Sequence, residues 1–239
     1  MYYLTGFHAI EERIKSGSAC GPLLLAKPGP RARELVSLAN THKIRLDRTG
    51  SFELDRLAPN NRGIALQVDD IFVNNAETTL DTFLANMGDK KNALVIILDE
   101  ITDPHNYGAI LRSCDQFGVD LVISTKHRSA KNADVVSKTS AGAVSWVPQA
   151  EAANLVRAVD DLKTAGFWIY GADAEGEPVY TKNLKGRTAL VIGSEGTGIS
   201  RLLRERCDAI VGIPTEGRVD SLNVSVAAGV LLYEVRRQN

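Results

Sequence analysis

What this sequence lacks narrows it first. Cysteine occurs three times, at Cys20, Cys114 and Cys207, far apart and without the paired Cys-x-x-Cys spacing used in zinc or thiol–disulfide chemistry. All three read as small buried apolar residues, the usual place of a free cysteine. Histidine is scarce, at four, and no convergent His/Cys/Asp set offers metal ligands, so no metal is expected. No apolar run approaches the roughly 18–20 residues of a membrane span. The opening residues, Met1-Tyr2-Tyr3-Leu4-Thr5-Gly6, have neither the basic start nor the apolar stretch of a secretory signal. A soluble, cytoplasmic protein with no membrane partner is the expectation.

What is present suits two compact domains. The chain has 239 residues, 44% hydrophobic and 24% charged, near globular averages and long enough for two unequal cores. The net charge of -1 hides an asymmetry. Residues 1–62 carry ten Lys/Arg against six Asp/Glu, a balance of +4, which leaves -5 for the remainder. A basic first segment permits contact with a polyanion such as RNA without demonstrating it.

Periodicity supplies the outline. The first segment alternates helical patterns (6–16, 32–42, 52–57) with strand patterns (23–25, 44–46, 63–68), which reads as a small α/β sandwich. Polar and glycine-rich punctuation at 69–91, interrupted by one short helical pattern at 80–85, marks a linker. The second segment opens on Ala93-Leu94-Val95-Ile96-Ile97-Leu98, an unbroken run of the kind buried on both faces of a sheet. Strands at 120–124, 145–147, 167–172, 188–192 and 209–213 follow, mostly with helices between them. This predicts an α/β domain with a mostly parallel sheet. Ligands in such sheets bind beyond the carboxyl ends of the strands, so the loops there are the candidates for chemistry.

Three loops stand out. The first is Asp103-Pro104-His105-Asn106-Tyr107-Gly108, leading into Arg112. Pro104 keeps Asp103 out of the helix, Asn106 could cap the helix that follows, and Arg112 is expected near its start. The second is Gly193-Ser194-Glu195-Gly196-Thr197-Gly198. It lacks the Lys-Ser/Thr of a phosphate-binding loop and the spacing of a dinucleotide fingerprint. Glu195 would also set negative charge where a pyrophosphate should sit. Glu216 lies about where a ribose-binding acid would, which leaves a nicotinamide or nucleotide enzyme as a remote alternative. The third loop runs Ile213-Pro214-Thr215-Glu216-Gly217-Arg218 to Ser221-Leu222-Asn223-Val224-Ser225. Ser221 and Asn223 do not share a mid-helix face, yet both can serve one site from a loop and a first turn. Taken singly, Arg112 reads first as a solvated helical charge, and Ser221 can be an N-cap with Asn223 a polar residue of the first turn.

In this order the three loops resemble the signature motifs of the SpoU (TrmH-like) family within the SPOUT RNA 2'-O-ribose methyltransferases. The resemblance covers about residues 92–239. Gly6-x-His8-Ala9-Ile10 and Asn61-Arg62-Gly63-Ile64-Ala65 resemble the ribosomal-protein-L30-like substrate domain of the 23S rRNA guanosine-2'-O-methyltransferases. The implied layout is an L30-like RNA-binding domain at 1–70, a linker at 71–91 and a SpoU-type methyltransferase domain at 92–239. The resemblance further implies a trefoil knot, a homodimer and S-adenosylmethionine as cofactor. Carried over by motif position, Gly193, Ile213 and Leu222 line the cofactor pocket, while Asn106, Arg112, Glu195, Ser221 and Asn223 form the catalytic, RNA-facing cluster. The basic excess makes Lys27, Arg31, Arg33, Lys43 and Arg45 the expected RNA contacts of the first domain. A guanidinium is a poor base, so Arg112 is expected to hold the phosphate beside the target ribose and to stabilise the developing alkoxide, with a phosphate oxygen or water taking the proton. The expected substrate is rRNA, with tRNA or a catalytically silent RNA-binding role as alternatives.

Overall fold

The computed structural model of the chain describes residues 2–15, 17, 21–27, 29–58, 61–68, 77–125, 133–218 and 221–239; Cys20, residues 69–70 and residues 71–76 of the expected linker lie outside them. The chain divides into two compact units, 1–76 with 129–146 and 77–128 with 147–239.

In chain order the first unit contains β1 (Tyr2–Leu4), α1 (Phe7–Lys15), β2 (Leu23–Leu25), α2 (Pro30–Thr41), β3 (Leu46–Arg48), α3 (Ser51–Leu57) and β4 (Ile64–Val68). The strands form one sheet in the order β1-β4-β2-β3, with β2 parallel to β3 and β4 antiparallel to both of its neighbours. Side chains alternate across a strand. Leu23, Leu25, Ile64 and Leu66 therefore face one way, onto Ile10 and Ile14 of α1 and Leu35 and Ala39 of α2. Leu24 and Ala65 face the other way, onto Leu54 of α3. The result is the expected α/β sandwich, with two differences. β1 carries too short a pattern to be read alone and forms by pairing with β4. The third strand starts later than expected because the Ile44 amide is spent on the carbonyl of Ala39, closing the turn that leaves α2.

The second unit opens with β5 (Glu77–Thr78) and α4 (Leu80–Met87), inside the stretch expected to be linker. Leu80, Phe83, Leu84 and Met87 of this helix pack into the unit's core. The chain continues through β6 (Ala93–Leu98), α5 (Pro104–Gln116) and β7 (Leu121–Ser124); α6 (Ala133–Thr139) groups with the first unit. Then come β8 (Gln149–Glu151), α7 (Leu155–Thr164), β9 (Trp168–Pro178), β10 (Arg187–Ile192), α8 (Arg201–Arg206), β11 (Ala209–Gly212) and α9 (Val224–Gln238).

Seven strands pair throughout in parallel, in the order β11-β9-β10-β6-β7-β8-β5. Val95, Ile97, Leu121 and Ile123 pack on α4, α7 and α8. By the same alternation Leu94, Ile96 and Leu98 face the opposite side of the sheet. On that side α5 packs along α9, and α9 lies against β10. The expected strand at 145–147 is absent. Residues 143–145 form a tight helical turn after Gly142, and sheet pairing resumes only when the Pro148 carbonyl accepts the Val122 amide. No helix of the described residues is long and apolar enough to cross a membrane.

Strand order fixes where a site can form. From β6 the chain moves outward to β7 and β8 on one side, whereas β10, β9 and β11 occupy the other. The order therefore reverses between β6 and β10, which opens a crevice at their carboxyl ends.

Candidate active site

Asp99, just past β6, ties the two sides of this crevice together. Its amide donates to the Ile192 carbonyl at 2.8 Å, and its Oδ2 accepts the Ser200 amide at 2.7 Å. The glycine-rich loop after β10 is thereby held at both ends. Within it the Ser194 and Gly198 backbones pair with each other at 3.2 and 3.0 Å. A Cβ on Gly193 would lie 2.1 Å from the Gly198 carbonyl carbon, so only glycine permits this closure. The glycine is needed for the loop's own backbone before any ligand is considered.

Beside the loop lies a cavity of about 310 Å³, at the small end of the range for ligand pockets. Its walls come from residues 172–174, 192–198, 211–213 and 221–222, with Ala227 and Leu231 of α9 behind. Gly193, Ile213 and Leu222 all line it, as do Glu195 and Ser221. Asn106 and Asn223 join through Glu195. The Glu195 Oε1 accepts the Asn223 Nδ2 at 2.7 Å, the Asn106 Nδ2 at 3.2 Å and the Val224 amide at 3.4 Å. Asn223 Nδ2 also donates to Asn106 Oδ1 at 3.0 Å. One carboxylate oxygen thus gathers all three loops, from positions 106, 195 and 223.

Two expectations about local structure change. Asp103, not Asn106, caps α5, its Oδ1 accepting the His105 amide at 3.1 Å; Pro104 already occupies the first helical position, which leaves Asn106 inside the first turn with its side chain engaged by Glu195 and Asn223. Arg112 does not lie near the helix start but well along α5. It is exposed, and among the described residues its side chain has no hydrogen-bond or ion-pair partner. Among the described residues no hydrogen bond or ion pair joins it to the Glu195 cluster. At the other loop the cap of α9 is Asn223, while Ser221 precedes the helix as an exposed bend.

Asp173 is a cavity-lining residue that carried no sequence signal. It sits where β9 departs from its neighbour: β11 pairs Ile210 with Gly171 but Val211 with Glu177, so the intervening residues of β9 loop out beside the cavity. The Asp173 carboxylate accepts the Glu175 amide at 2.9 Å and pairs with Arg204. The amide first and the arginine second hold its pKa below the ordinary carboxylate value.

Burial makes Tyr107, Cys114 and Cys207 unsuited to chemistry. Burial pushes the Tyr107 phenol up to about 12, and its hydroxyl donates to Gln149 at 2.9 Å. Burial likewise raises the Cys114 thiol beyond reach of neutral pH. Cys207 is only partly buried, less than expected, and what burial it has raises its thiol to about 11. Among the described residues no group of three or more His, Cys, Asp and Glu side chains could hold a metal ion.

In the first unit the five expected RNA contacts separate. Arg31 pairs with Glu34 at 2.6 Å and Glu11 at 3.1 Å, and Arg45 pairs with Asp47 at 2.6 Å. Lys27, Arg33 and Lys43 are exposed, and among the described residues their side chains have no partner. Lys43 lies in the turn that closes α2, whereas Lys27 follows β2 at the other end of the sheet.

Residues 93–233, more than half of the chain, match the SpoU rRNA methylase family. The chain belongs to that family. Residues 3–71 of this SpoU-family protein match the RNA 2'-O ribose methyltransferase substrate-binding model. It is 40% identical over 218 residues to a Borreliella burgdorferi protein named as an uncharacterized tRNA/rRNA methyltransferase, covering 89% of this chain and 96% of that one. It is 38% identical over 241 residues to a Staphylococcus saprophyticus protein named for the TrmH family of tRNA/rRNA methyltransferases, covering 98% and 95%. Among solved structures, the SpoU methyltransferase AviRb of Streptomyces viridochromogenes shares the fold, with TM-score 0.78 and 24% identity over 99% of this chain and 89% of that one. The TrmH/SpoU tRNA modifying enzyme of A. aeolicus superposes with TM-score 0.56 and 31% identity, over 66% of this chain and 81% of that one. The family read from the three loops, and its fold apart from the knot, are therefore shown.

Proposed function

We propose that the chain transfers the methyl group of S-adenosylmethionine to a ribose 2'-hydroxyl of structured RNA, a guanosine of 23S rRNA before tRNA. The observation that carries this reading is the Asn106–Glu195–Asn223 cluster, which joins the loops after β6, β10 and β11 at one carboxylate that also lines the cavity between β9, the β10 and β11 loops and α9. Support comes from the substrate-binding match, which is named for RNA 2'-O ribose methyltransferases, and from AviRb, solved in complex with AdoMet.

The residues present fit that cofactor. The cavity offers apolar walls at Ile192, Val211, Leu222 and Leu231 for a flat base, and the Glu195 and Asp173 carboxylates beside them. Negative charge there suits a cationic sulfonium and disfavours a pyrophosphate. Gly193, Ile213 and Leu222 would hold the group, and when bound it supplies an electrophilic methyl.

The chain's own residues orient and stabilise. Glu195 uses Oε1 to hold the loops, which leaves Oε2, without a partner among the described residues, to accept a bond from the ribose hydroxyl. Ser221 lines the same cavity, and Asn223 holds Glu195 beside it. Aligning the hydroxyl in this way removes a large part of the barrier, on the order of 7–11 kcal/mol for well-placed groups. Arg112, always charged and unpaired among the described residues, meets the phosphate beside the target ribose and stabilises the developing alkoxide. A phosphate oxygen or water takes the proton. The reading also carries the trefoil knot, a cytoplasmic location and a homodimer formed through α9, where Val226, Val230 and Tyr233 are exposed on one face.

The experiment is incubation of the full chain with methyl-labelled S-adenosylmethionine and, separately, rRNA and tRNA, with and without chelator. Chelator-insensitive labelling of rRNA at a 2'-oxygen is expected. Label on a base, or none on either RNA, would overturn the reading.

A further inference from the structure

The carboxyl end of the first unit's sheet gathers side chains that the catalytic account leaves unused. Across the sheet, Ile64, Leu25 and Arg48 share one row, Leu25 pairing with both others. Neighbouring strands are about 4.8 Å apart, so the residues just beyond this row crowd together. They are Arg62 and Gly63 before β4, Ala26 and Lys27 after β2, and Thr49 to Phe52 after β3. Hydrogen bonds bind them: the Ala26 and Lys27 amides donate to the Gly63 carbonyl at 2.9 and 3.3 Å, and the Thr49 amide donates to the Leu25 carbonyl at 3.1 Å.

Two features set this end apart. Lys27, Arg48 and Arg62 are exposed, and among the described residues their side chains have no ion-pair or hydrogen-bond partner. Phe52, in the first turn of α3, is 86% exposed, which makes little sense for packing. The turn that presents Arg62 is also firmly held. Asn61 is buried and donates to Asp55 Oδ1 at 2.7 Å and the Ala58 carbonyl at 2.8 Å, while its Oδ1 accepts the Gly63 amide at 2.7 Å. That network keeps Arg62 at a φ of 53°, left-handed and unfavourable for a non-glycine residue. It also occupies Asp55, one of the two acids of α3; the other, Glu53, accepts the Thr49 hydroxyl at 2.8 Å.

We propose that this end of the sheet seats a single-stranded stretch of the substrate, with Lys27, Arg48 and Arg62 on successive phosphates and Phe52 stacked on an unpaired base. The inference rests on the reading of the substrate as RNA, and charge complementarity commits it to that occupant. Three free cations beside an exposed ring is how proteins hold unpaired nucleotides, because every base has a face to stack. Arg31 and Arg45, neutralised by Glu11, Glu34 and Asp47, contribute less, and Lys43 lies at the wrong end.

The test is fluorescence anisotropy of the full chain with a labelled single-stranded oligouridylate of about ten nucleotides and with an RNA duplex of equal length. Phe52→Ala should weaken single-strand binding about tenfold and leave duplex binding unchanged, while Phe52→Trp retains wild-type affinity. Arg48→Gln and Arg62→Gln should each lower the slope of log affinity against log salt by about 0.7, and Lys43→Gln should not. Undetectable oligouridylate binding by the wild-type chain, wild-type affinity in Phe52→Ala, or an equal loss in Lys43→Gln overturns the proposal. The readout is binding, so the two readings fail separately. Phe52-dependent binding without methyl transfer overturns the methyltransferase reading alone, and ribose methylation with an indifferent Phe52 overturns this one alone.

Discussion

The side-chain amide of Asn223 serves two masters: its Nδ2 donates to Glu195 Oε1 at 2.7 Å, while its Oδ1 accepts the amides of Ser225 and Val226 at 3.0 and 3.4 Å. The start of α9 and the glycine-rich loop are therefore set by one residue, and the two roles can be separated.

Asn223→Ser keeps an N-cap oxygen but is too short to reach Glu195. Its melting temperature should stay near wild type while turnover falls by about two orders of magnitude, the usual cost of losing a positioned polar group. Asn223→Ala should lose turnover equally and about 1 kcal/mol of stability besides. Denaturant melts paired with single-turnover rates check both; equal stability of the two variants would remove the capping role.

Arg112 is exposed and unpaired among the described residues, so Arg112→Ala should leave stability within about 0.5 kcal/mol of wild type. It should cost at least about 2–4 kcal/mol in transition-state stabilisation, comparable to losing one oxyanion donor. Cofactor affinity, measured by calorimetry, should hardly change. An unimpaired rate would take Arg112 out of the mechanism.

Asp173 links the cavity wall to pH. Its pKa is lowered from the ordinary 3.8 by the Glu175 amide first and then by Arg204. A carboxylate whose folded pKa is depressed contributes stability that is present above its unfolded pKa and lost as pH falls through the folded one. Melting temperatures of wild type and Asp173→Asn should therefore differ most above about pH 5 and converge toward about pH 2. A gap that stays constant over that range would show that the carboxylate's charge does not matter.

Much of this was legible in the sequence, for identifiable reasons. The run at 93–98 is apolar on both faces, short and rich in β-branched residues, as a doubly buried strand requires, and β6 lies mid-sheet with every residue buried. The loops at 103–112, 193–198 and 213–225 were marked by proline, glycine and asparagine, whose backbone preferences are local. What escaped depends on distant partners. Arg31 looks like a free cation until folding brings Glu11 to it. Asp173 lies just past the strand expected at 167–172, and its place in the cavity follows only from the register jump of the longer β9 against β11. Phe52 fits a helical apolar pattern, and only the fold shows that it faces solvent.

Val226, Val230 and Tyr233 share the outer face of α9 and are 50%, 39% and 56% exposed. If a second copy covers them, Val230→Glu should give a monomer in sedimentation equilibrium at micromolar concentration, against a wild-type dimer. A monomeric wild-type chain would reject the homodimer.

The central claim is methylation of a ribose 2'-oxygen, and alkaline hydrolysis of rRNA reads that oxygen directly, because a methylated 2'-hydroxyl cannot attack the adjacent phosphodiester. RNA from cells containing the protein should show an alkali-resistant linkage 3' to one guanosine of 23S rRNA. The resistance should be missing when the gene is deleted and restored by the purified protein with S-adenosylmethionine. Identical cleavage patterns with and without the gene, together with failure of the purified protein to create resistance in either rRNA or tRNA, would contradict the account.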